Sequence, residues 1–283
     1  MPGDAFSVWL VVIRSGLNVF GLIAIGLALH AALGVVERDG RRRFNRFILA
    51  SVLGVVIFAG ARLAVLNLQM GDGSTLYDPD TFALSWSTIG SSTLCLAIGA
   101  LVIAAGSFTQ FAWLAGLGAV ILAAGFALTG HTQGLDDPGL APLAVGVHVL
   151  IAGFWVAAPM TLPPSAALSD SILHARLTRF SRIAIAAIPI LVALGIWLAW
   201  RIAGGVDPLL NSNYGRLLLL KLAVALAAMG LGAVNKQLIT ARVLSDPARG
   251  RSWLSRTLAV EATLFLVATL AVSAATTIAG PGE

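Results

Sequence analysis

Two histidines lie where an otherwise apolar chain can least easily accommodate polar side chains. His131 stands at the end of a hydrophobic run, in the sequence T-G-H-T-Q-G, and His148 lies inside the next run. Neutral imidazole binds copper, zinc and haem iron, and ionisable side chains at membrane depth are costly and usually functional. The pair therefore indicates a metal or haem site. The alternative is that His131 caps a helix at the interface and His148 hydrogen-bonds a neighbouring helix.

Residues near these histidines could serve the same site. Asp136 and Asp137 lie between them in sequence, so an incoming cation would meet carboxylates before imidazoles. Met70 lies at the end of another apolar run, and its thioether suits Cu(I). Trp155 follows His148 by seven residues, a spacing that places both on one helix face, where the indole could wall the site.

The two histidines differ in expected depth. At 1.5 Å per residue, His148 lies roughly 10 Å inside its run, whereas His131 is at the boundary. One shared metal site therefore needs a bent or re-entrant segment near Pro138 and Pro142. The same difference in depth argues against a haem held between the two imidazoles.

Several other polar residues lie inside apolar runs and need partners there. Arg14, Arg62 and Lys221 fall one to two turns inside the ends of their runs. Asn18 follows Arg14 by one turn on the same helix face, which predicts a polar stripe directed into a helix bundle.

A second polar pair is expected between the last two runs. Glu261 is the only acidic residue within an apolar run, and Asn235 ends the preceding run at a similar depth. We expect a hydrogen bond between them, which serves either the fold or a proton relay. His30 and His174 are interpreted as structural or solvated residues.

The elements that carry these residues are apolar runs long enough to cross a bilayer as helices. The chain is 58% hydrophobic and only 11% charged, and it contains continuous runs without the alternation of a β-barrel. We expect an all-α, polytopic integral membrane protein with a single transmembrane domain over residues 1–283. The eight predicted spans are 7–36, 47–68, 82–105, 109–130, 141–162, 180–201, 215–237 and 257–279.

Charged residues predict the orientation of the spans. Thirteen of the 18 basic residues fall in alternate loops, at 37–46, 163–182 and 236–256, whereas the opposite loops are acidic. Because positively charged loops stay in the cytoplasm, both termini should be periplasmic. The net charge of +5 then reflects topology, and a nucleic-acid partner is not expected.

Some classes of mechanism are disfavoured. The single cysteine, Cys95, lies inside a span and has no partner for an internal disulfide. Neither a phosphate-binding loop nor an aspartyl-phosphate signature occurs, so ATP-driven pumping is not expected. We expect a protein that is not an enzyme.

The C-terminal half resembles the copper-resistance protein D family. The resemblance covers roughly residues 125–275 and rests on motifs that occur in order along the chain: T-G-H (129–131), H-V-L-I-A-G-F-W (148–155), F-S-R-I-A (180–184), G-I-W-L-A (195–199), N-Y-G-R-L-L-L-L-K (213–221), G-A-V-N-K (232–236) and V-E-A-T-L (260–264). The family's motif histidines correspond to His131 and His148. Its Tyr, Lys, Asn and Glu correspond to Tyr214, Lys221, Asn235 and Glu261.

The resemblance implies an eight-helix protein of the bacterial inner membrane that handles copper, often with a small periplasmic copper-binding partner. We expect a permease that moves copper from the periplasm toward the cytoplasm, by way of Asp136, Asp137 and His131 to His148. Family members often have W-x-G-G where this chain has W-V-A-A-P at 155–159, so helix packing differs there. Two alternatives remain open: a b-type haem protein that transfers electrons, and a membrane scaffold or sensor for a periplasmic copper protein.

Overall fold

The apolar runs form long α-helices in the computed structural model, which describes residues 3–37, 43–71, 77–109, 111–130, 132–135 and 137–278. No strand occurs within these ranges. The elements in chain order are α1 (Gly3–Ala32), α2 (Asn45–Met70), α3 (Pro79–Phe108), α4 (Ala112–Ala127), α5 (Ala141–Val156), α6 (Ala158–Thr161), α7 (Asp170–Ala203), α8 (Val206–Asn211), α9 (Asn213–Val234), a π-helix (Asn235–Ile239), α10 (Thr240–Ser245) and α11 (Pro247–Ile278).

Within the described residues, seven helical segments are long and apolar enough to cross a membrane. The predicted polytopic helical fold is therefore confirmed. The remaining predicted span, 109–130, corresponds to α4, which is apolar but has only 16 residues. At 1.5 Å per residue, it extends roughly 24 Å, less than the roughly 30 Å of a bilayer core. The number of spans stays a prediction.

Several helices extend beyond the apolar runs that predicted them. The sixth run begins at residue 180, but α7 begins at Asp170, where the Ser169 hydroxyl accepts a hydrogen bond from the Ile172 N–H. The last run begins at residue 257, but α11 begins at Pro247. Hydropathy marks the part of a helix that lipid can surround, whereas capping residues set where the helix begins.

The first and last long helices lie side by side and antiparallel. The Asn18 amide donates to the Ser273 hydroxyl at 3.0 Å, and Arg14 donates to the backbone oxygen of Thr276 and to the hydroxyl of Thr277. The beginning of α1 and the end of α11 therefore lie at the same end of the bundle. The predicted polar stripe of Arg14 and Asn18 is directed into the bundle.

Glycine contacts bring α5, the helix of His148, against α1. A Cβ atom at Gly26 would lie 2.0 Å from the backbone oxygen of Gly153, and a Cβ at Gly153 would lie 2.7 Å from Ile25. Small residues at such positions allow helix backbones to approach closely. This contact fixes the position of His148 relative to the first helix.

The opposite end of the bundle carries the basic loops, and we call it the basic end: residues 33–37, 43–44 and 162–169 and the turn before α11. Arg176 is 4% exposed and forms an ion pair with Glu37 at 2.5 Å. Arg251 pairs with Asp170 at 2.7 Å and also donates to the backbone oxygens of Ser165 and Leu168. Here the arginines are matched by carboxylates and carbonyls of the same chain.

The Glu37–Arg176 pair also affects the titration of its carboxyl group. Partial burial by itself would raise the pKa of Glu37. Hydrogen bonds and charge from Arg176 outweigh this effect, so the pKa lies below its ordinary value of 4.5. The carboxylate is therefore stabilised in its charged form by folding.

Candidate functional site

A cavity of about 750 Å³ lies between the helices, on the side of the bundle away from the basic end. Leucine, valine, alanine and aromatic side chains make up most of its lining. Its polar lining residues are Arg14, Asn18, Arg62, Gln69, Thr88, Thr129, Thr132, Gln133, His148, Tyr214, Lys221, Thr269 and Thr276. Among the described lining residues there are three cations and no carboxylate.

His148 lies in the wall of this cavity on α5. The ring faces α7 at Gly195, where a Cβ atom would lie 3.2 Å from the imidazole Cε1, so glycine leaves the space that the ring occupies. Its Nδ1 is buried and has no hydrogen-bond partner in the described ranges. A neutral imidazole keeps one nitrogen lone pair, which makes this ring available to a metal ion or to a donor group.

Trp155 lines the same cavity as His148, in agreement with their spacing on one helix. The indole is 4% exposed and packs edge to face against Phe265, with ring centroids 5.1 Å apart. This contact holds Trp155 between α5 and α11. The indole therefore forms a rigid apolar part of the cavity wall below the imidazole.

Arg14 and Arg62 reach the cavity from α1 and α2, close enough for their charges to repel each other. Arg62 donates from Nη2 to the Thr129 hydroxyl at 2.5 Å, and Arg14 donates to Thr276 and Thr277. All these acceptors are uncharged. Each guanidinium carries five N–H donors, so both keep donors that are free to bind a ligand.

Lys221 lines the cavity from α9 and lies near enough to His148 for its charge to act on the imidazole. In the described part of the chain, no hydrogen bond or ion pair to its ammonium group is found. Tyr214 precedes Lys221 by seven residues and lines the same cavity, with 2% of its surface exposed. Tyr214 and Lys221, which the sequence resemblance singled out, therefore share one face of α9 and one cavity.

The residues predicted to receive an incoming cation are not all in the cavity wall. His131 and Asp136 lie outside the described residues. Asp137 is 85% exposed and pairs weakly with Arg201 at 3.9 Å. Met70 accepts a hydrogen bond from the Ser85 hydroxyl at 3.4 Å and does not line the cavity, although the preceding residue, Gln69, does.

Thr132 adds a further polar group that the sequence motif did not single out. It lines the cavity next to the predicted site, is 2% exposed, and its hydroxyl has no hydrogen-bond partner among the residues described. Sequence reasoning noted only the histidine of T-G-H-T-Q-G. Thr129, Gly130, Thr132 and Gln133 of that segment line the cavity.

The predicted hydrogen bond between Asn235 and Glu261 is confirmed. The Asn235 amide donates to the Glu261 carboxylate at 2.9 Å, and the Thr257 hydroxyl donates to the Asn235 amide oxygen at 2.6 Å. Asn235 begins the π-helix, whose wider turn interrupts the α-helical hydrogen-bond ladder at this position. This cluster is buried and separate from the cavity wall.

His30 is a structural histidine, as expected. It is fully buried, with Nδ1 2.7 Å from the Thr161 hydroxyl and Nε2 2.8 Å from the Phe154 backbone oxygen. Its ring also packs edge to face against Phe154 and Phe180. Because a carbonyl can only accept, Nε2 carries the proton and Nδ1 accepts from Thr161. No ring nitrogen is left for a ligand.

No cluster of three or more His, Cys, Asp or Glu side chains suited to a metal ion occurs within the described ranges. The cavity therefore offers a metal one imidazole, His148, together with uncharged oxygen groups from threonine and tyrosine. Such a set suits a metal that arrives with ligands of its own better than a bare ion, because the three cations oppose an uncompensated positive charge.

These features define a multi-pass helical membrane protein with a cationic cavity at one end of the bundle. Residues 174–275 match the family model described as Copper resistance protein D, so this part of the chain is similar to that family. The matched stretch includes Tyr214, Lys221, Asn235 and Glu261, and it begins after His148. Comparison with curated proteins and with solved structures finds no match.

Proposed function

We propose that this protein handles copper in the bacterial inner membrane, with copper as its cargo and His148 as a copper ligand inside the cavity. The observation that carries the proposal is the buried, unpartnered Nδ1 of His148 in the wall of a large cavity. The similarity of residues 174–275 to a copper-resistance family supports copper as the metal, since imidazole alone would also accept zinc or haem iron. The protein performs no enzymatic step in this proposal.

The proposed orientation places the cavity toward the periplasm. The cavity is at the end of the bundle opposite the arginine-rich loops, and such loops stay in the cytoplasm. With α4 counted as a short eighth span, both termini are periplasmic, which agrees with the antiparallel contact between α1 and α11. Copper then reaches the cavity from the periplasm, near His131, Asp136 and Asp137, and moves toward the cytoplasm.

Movement of copper through this cavity requires compensation of its charge. Arg14, Arg62 and Lys221 all line the cavity, so a free copper ion is repelled unless negative charge accompanies it. A small periplasmic copper-binding protein is a suitable partner in this scheme, because it would deliver copper already bound to ligands. The remaining alternative, a scaffold that binds copper without transport, predicts binding but no uptake.

A b-type haem protein is the second candidate, and one observation favours it. The cavity of about 750 Å³ has an apolar lining that suits the haem macrocycle. The imidazole of His148 could bind the iron, and the basic residues could pair with the haem carboxylates. A visible absorption spectrum of the purified protein, recorded with metal analysis, separates the two candidates. A Soret band with one iron per chain supports haem, and copper without a Soret band supports the first proposal.

To test whether the two histidines bind copper, bound copper per chain is measured in the wild type, His131→Ala, His148→Ala and the double variant. His174→Ala is the control outside the cavity. One shared site predicts that each single variant loses nearly all copper and that the double variant loses little more. If each single variant keeps about half, the sites are separate. Copper uptake by proteoliposomes, measured in the same set, separates a permease from a scaffold.

A further inference from the structure

The charges in the cavity lining point to a ligand other than a metal ion. Arg14 and Arg62 repel each other, and neither forms an ion pair in the part of the chain that the structure describes. Lys221 adds a third positive charge. Half-buried cations in a membrane protein are costly without partners, so a negatively charged group that lies among them would be strongly stabilised.

The two arginines are arranged to receive an oxyanion. Hydrogen bonds to Thr129, Thr276 and Thr277 hold the two guanidinium groups in place on neighbouring helices. Guanidinium groups bind carboxylate and phosphate through paired N–H donors, and such charge-assisted bonds are about twice as strong as neutral ones. Because the existing partners use only part of each guanidinium, donors remain for a carboxylate or a phosphate.

The rest of the cavity indicates what the oxyanion is attached to. Its volume of about 750 Å³ is within the range of sites for drug-sized molecules, far larger than an inorganic ion requires. Leu17, Phe126, Val149 and Leu222 are among the apolar side chains that form its wall. A ligand that fills this space must expose an apolar body to these side chains.

We propose that the cavity binds an amphiphilic anion, an apolar body that carries a carboxylate or phosphate group, and that this group lies between Arg14 and Arg62. The source of the anionic group is either a fatty acid or an anionic phospholipid. The proposal goes beyond copper handling and rests on the charge and volume of the cavity. The bound anion would also supply the negative charge that copper needs near His148.

The test uses native mass spectrometry of the delipidated, detergent-purified full chain. The protein is titrated separately with oleate, phosphatidylglycerol, phosphatidylcholine and inorganic phosphate. We expect one tightly bound molecule of oleate or phosphatidylglycerol. Phosphatidylcholine and inorganic phosphate should bind at least about tenfold more weakly, because the first has no net negative charge and the second has no apolar body. The ratio of the affinities for oleate and phosphatidylglycerol identifies the anionic group.

Variants assign the binding to the arginines. Arg14→Gln and Arg62→Gln should each weaken binding about tenfold, since each removes a charge-assisted contact. Arg62→Lys should retain part of the affinity because it keeps the charge. Arg216→Gln, an exposed arginine of α9 outside the cavity lining, is the matched control and should bind as the wild type does. Thermal unfolding without ligand shows whether each variant is folded.

Three results would overturn the proposal: phosphatidylcholine binding as tightly as the tighter of oleate and phosphatidylglycerol, inorganic phosphate binding equally tightly, or wild-type affinity in Arg14→Gln and Arg62→Gln together. His148→Ala distinguishes this site from the proposed copper site. It should lose copper and keep its affinity for the anion within about twofold, because Arg14 and Arg62 carry the charge-assisted contacts. Loss of copper binding in the wild type would affect the copper proposal alone.

Discussion

The two ends of the bundle treat buried positive charge in opposite ways. At the basic end, Arg176 is almost fully buried and pairs with Glu37, and Arg251 pairs with Asp170. In the cavity, Arg14 and Arg62 have only uncharged acceptors in the described ranges. The first arrangement fastens loops of the chain to each other. The second leaves cationic groups available to a molecule from outside.

The two buried histidines show the same difference. Both ring nitrogens of His30 have partners within the fold, whereas Nδ1 of His148 has none among the described residues. Burial alone therefore does not distinguish a functional histidine from a structural one. The distinction lies in whether the chain itself completes the hydrogen bonds of the ring.

The largest expected effect compares these two histidines directly. His148→Ala should remove nearly all bound copper with a smaller loss of thermal stability than His30→Ala. Its Nδ1 has no hydrogen-bond partner among the described residues, and the ring has one backbone contact, to Leu191. His30→Ala should keep copper and unfold at a lower temperature, because the Thr161 hydroxyl and Phe154 carbonyl lose their partner. Metal analysis and melting temperature, measured on both variants, show which variant loses copper and which loses stability. Similar losses of copper in both would remove the distinction.

At the basic end, Glu37→Ala should lower the free energy of unfolding by about 1.5 kcal/mol. The value is at the low end for hydrogen bonds to charged groups, because the Glu37 side chain is 43% exposed while Arg176, left unpaired, is 4% exposed. Chemical unfolding in detergent, followed by tryptophan fluorescence, measures it. Asp80→Ala is the matched control, because Asp80 is an exposed carboxylate that forms no ion pair with any described residue. Equal losses in the two variants would contradict the role of the ion pair.

The same pair predicts a dependence of stability on pH. Because the folded-state pKa of Glu37 is lowered from 4.5, its contribution is fully present above about pH 4.5 and is lost as the pH falls through the lower folded-state pKa. The difference in melting temperature between wild type and Glu37→Gln should therefore shrink as the pH is lowered from 6 toward about 3. A difference that stays constant over this range would show that the carboxylate charge does not stabilise the fold.

Asn235→Ala should have a smaller effect, about 1.2 kcal/mol, because two hydrogen bonds are lost and each hydrogen bond between helices in a bilayer contributes about 0.6 kcal/mol on average. The variant removes the donor to Glu261 and the acceptor of Thr257. Thr263→Ala is the control, because Thr263 is an exposed residue of the same helix as Glu261. The free energy of unfolding is measured for both variants. An Asn235→Ala variant that fails to insert would show that the cluster is required for assembly, contrary to this expectation.

The smallest effect is expected for Arg62→Gln without ligand. The substitution removes a charge that repels Arg14 and keeps a side chain able to donate to Thr129. The free energy of unfolding should change by less than about 0.5 kcal/mol, or rise. A loss as large as that of Glu37→Ala would mean that the cavity end is fastened as the basic end is, and the contrast between them would fail.

Some features of the fold and of the polar contacts could be predicted from the sequence, for a different physical reason in each case. Long apolar runs predict membrane helices because backbone groups must be satisfied within each helix. The Asn235–Glu261 bond was predictable because Glu261 has few polar groups at its depth. The Glu37–Arg176 pair joins residues 139 positions apart, and no local pattern indicates it.

The cavity itself was only partly predictable. Periodicity placed Asn18 with Arg14 and Trp155 with His148, since residues one or two turns apart share a helix face. Which helices surround the cavity depends on tertiary packing, such as the contact of Gly26 with Gly153. The convergence of three cations, with no carboxylate among the described lining residues, therefore emerged from the fold. The number of spans and the role of His131 stay predictions.

The contact between the first and last helices has a consequence for biosynthesis. Arg14 is synthesised 262 residues before its partner Thr276. At roughly 5–20 residues per second, this delay is on the order of tens of seconds. Arginine at the centre of a lone membrane helix costs about 2.5–3.5 kcal/mol. The nascent chain must therefore shelter Arg14 near the translocon or the lipid headgroups until α11 closes the cavity wall.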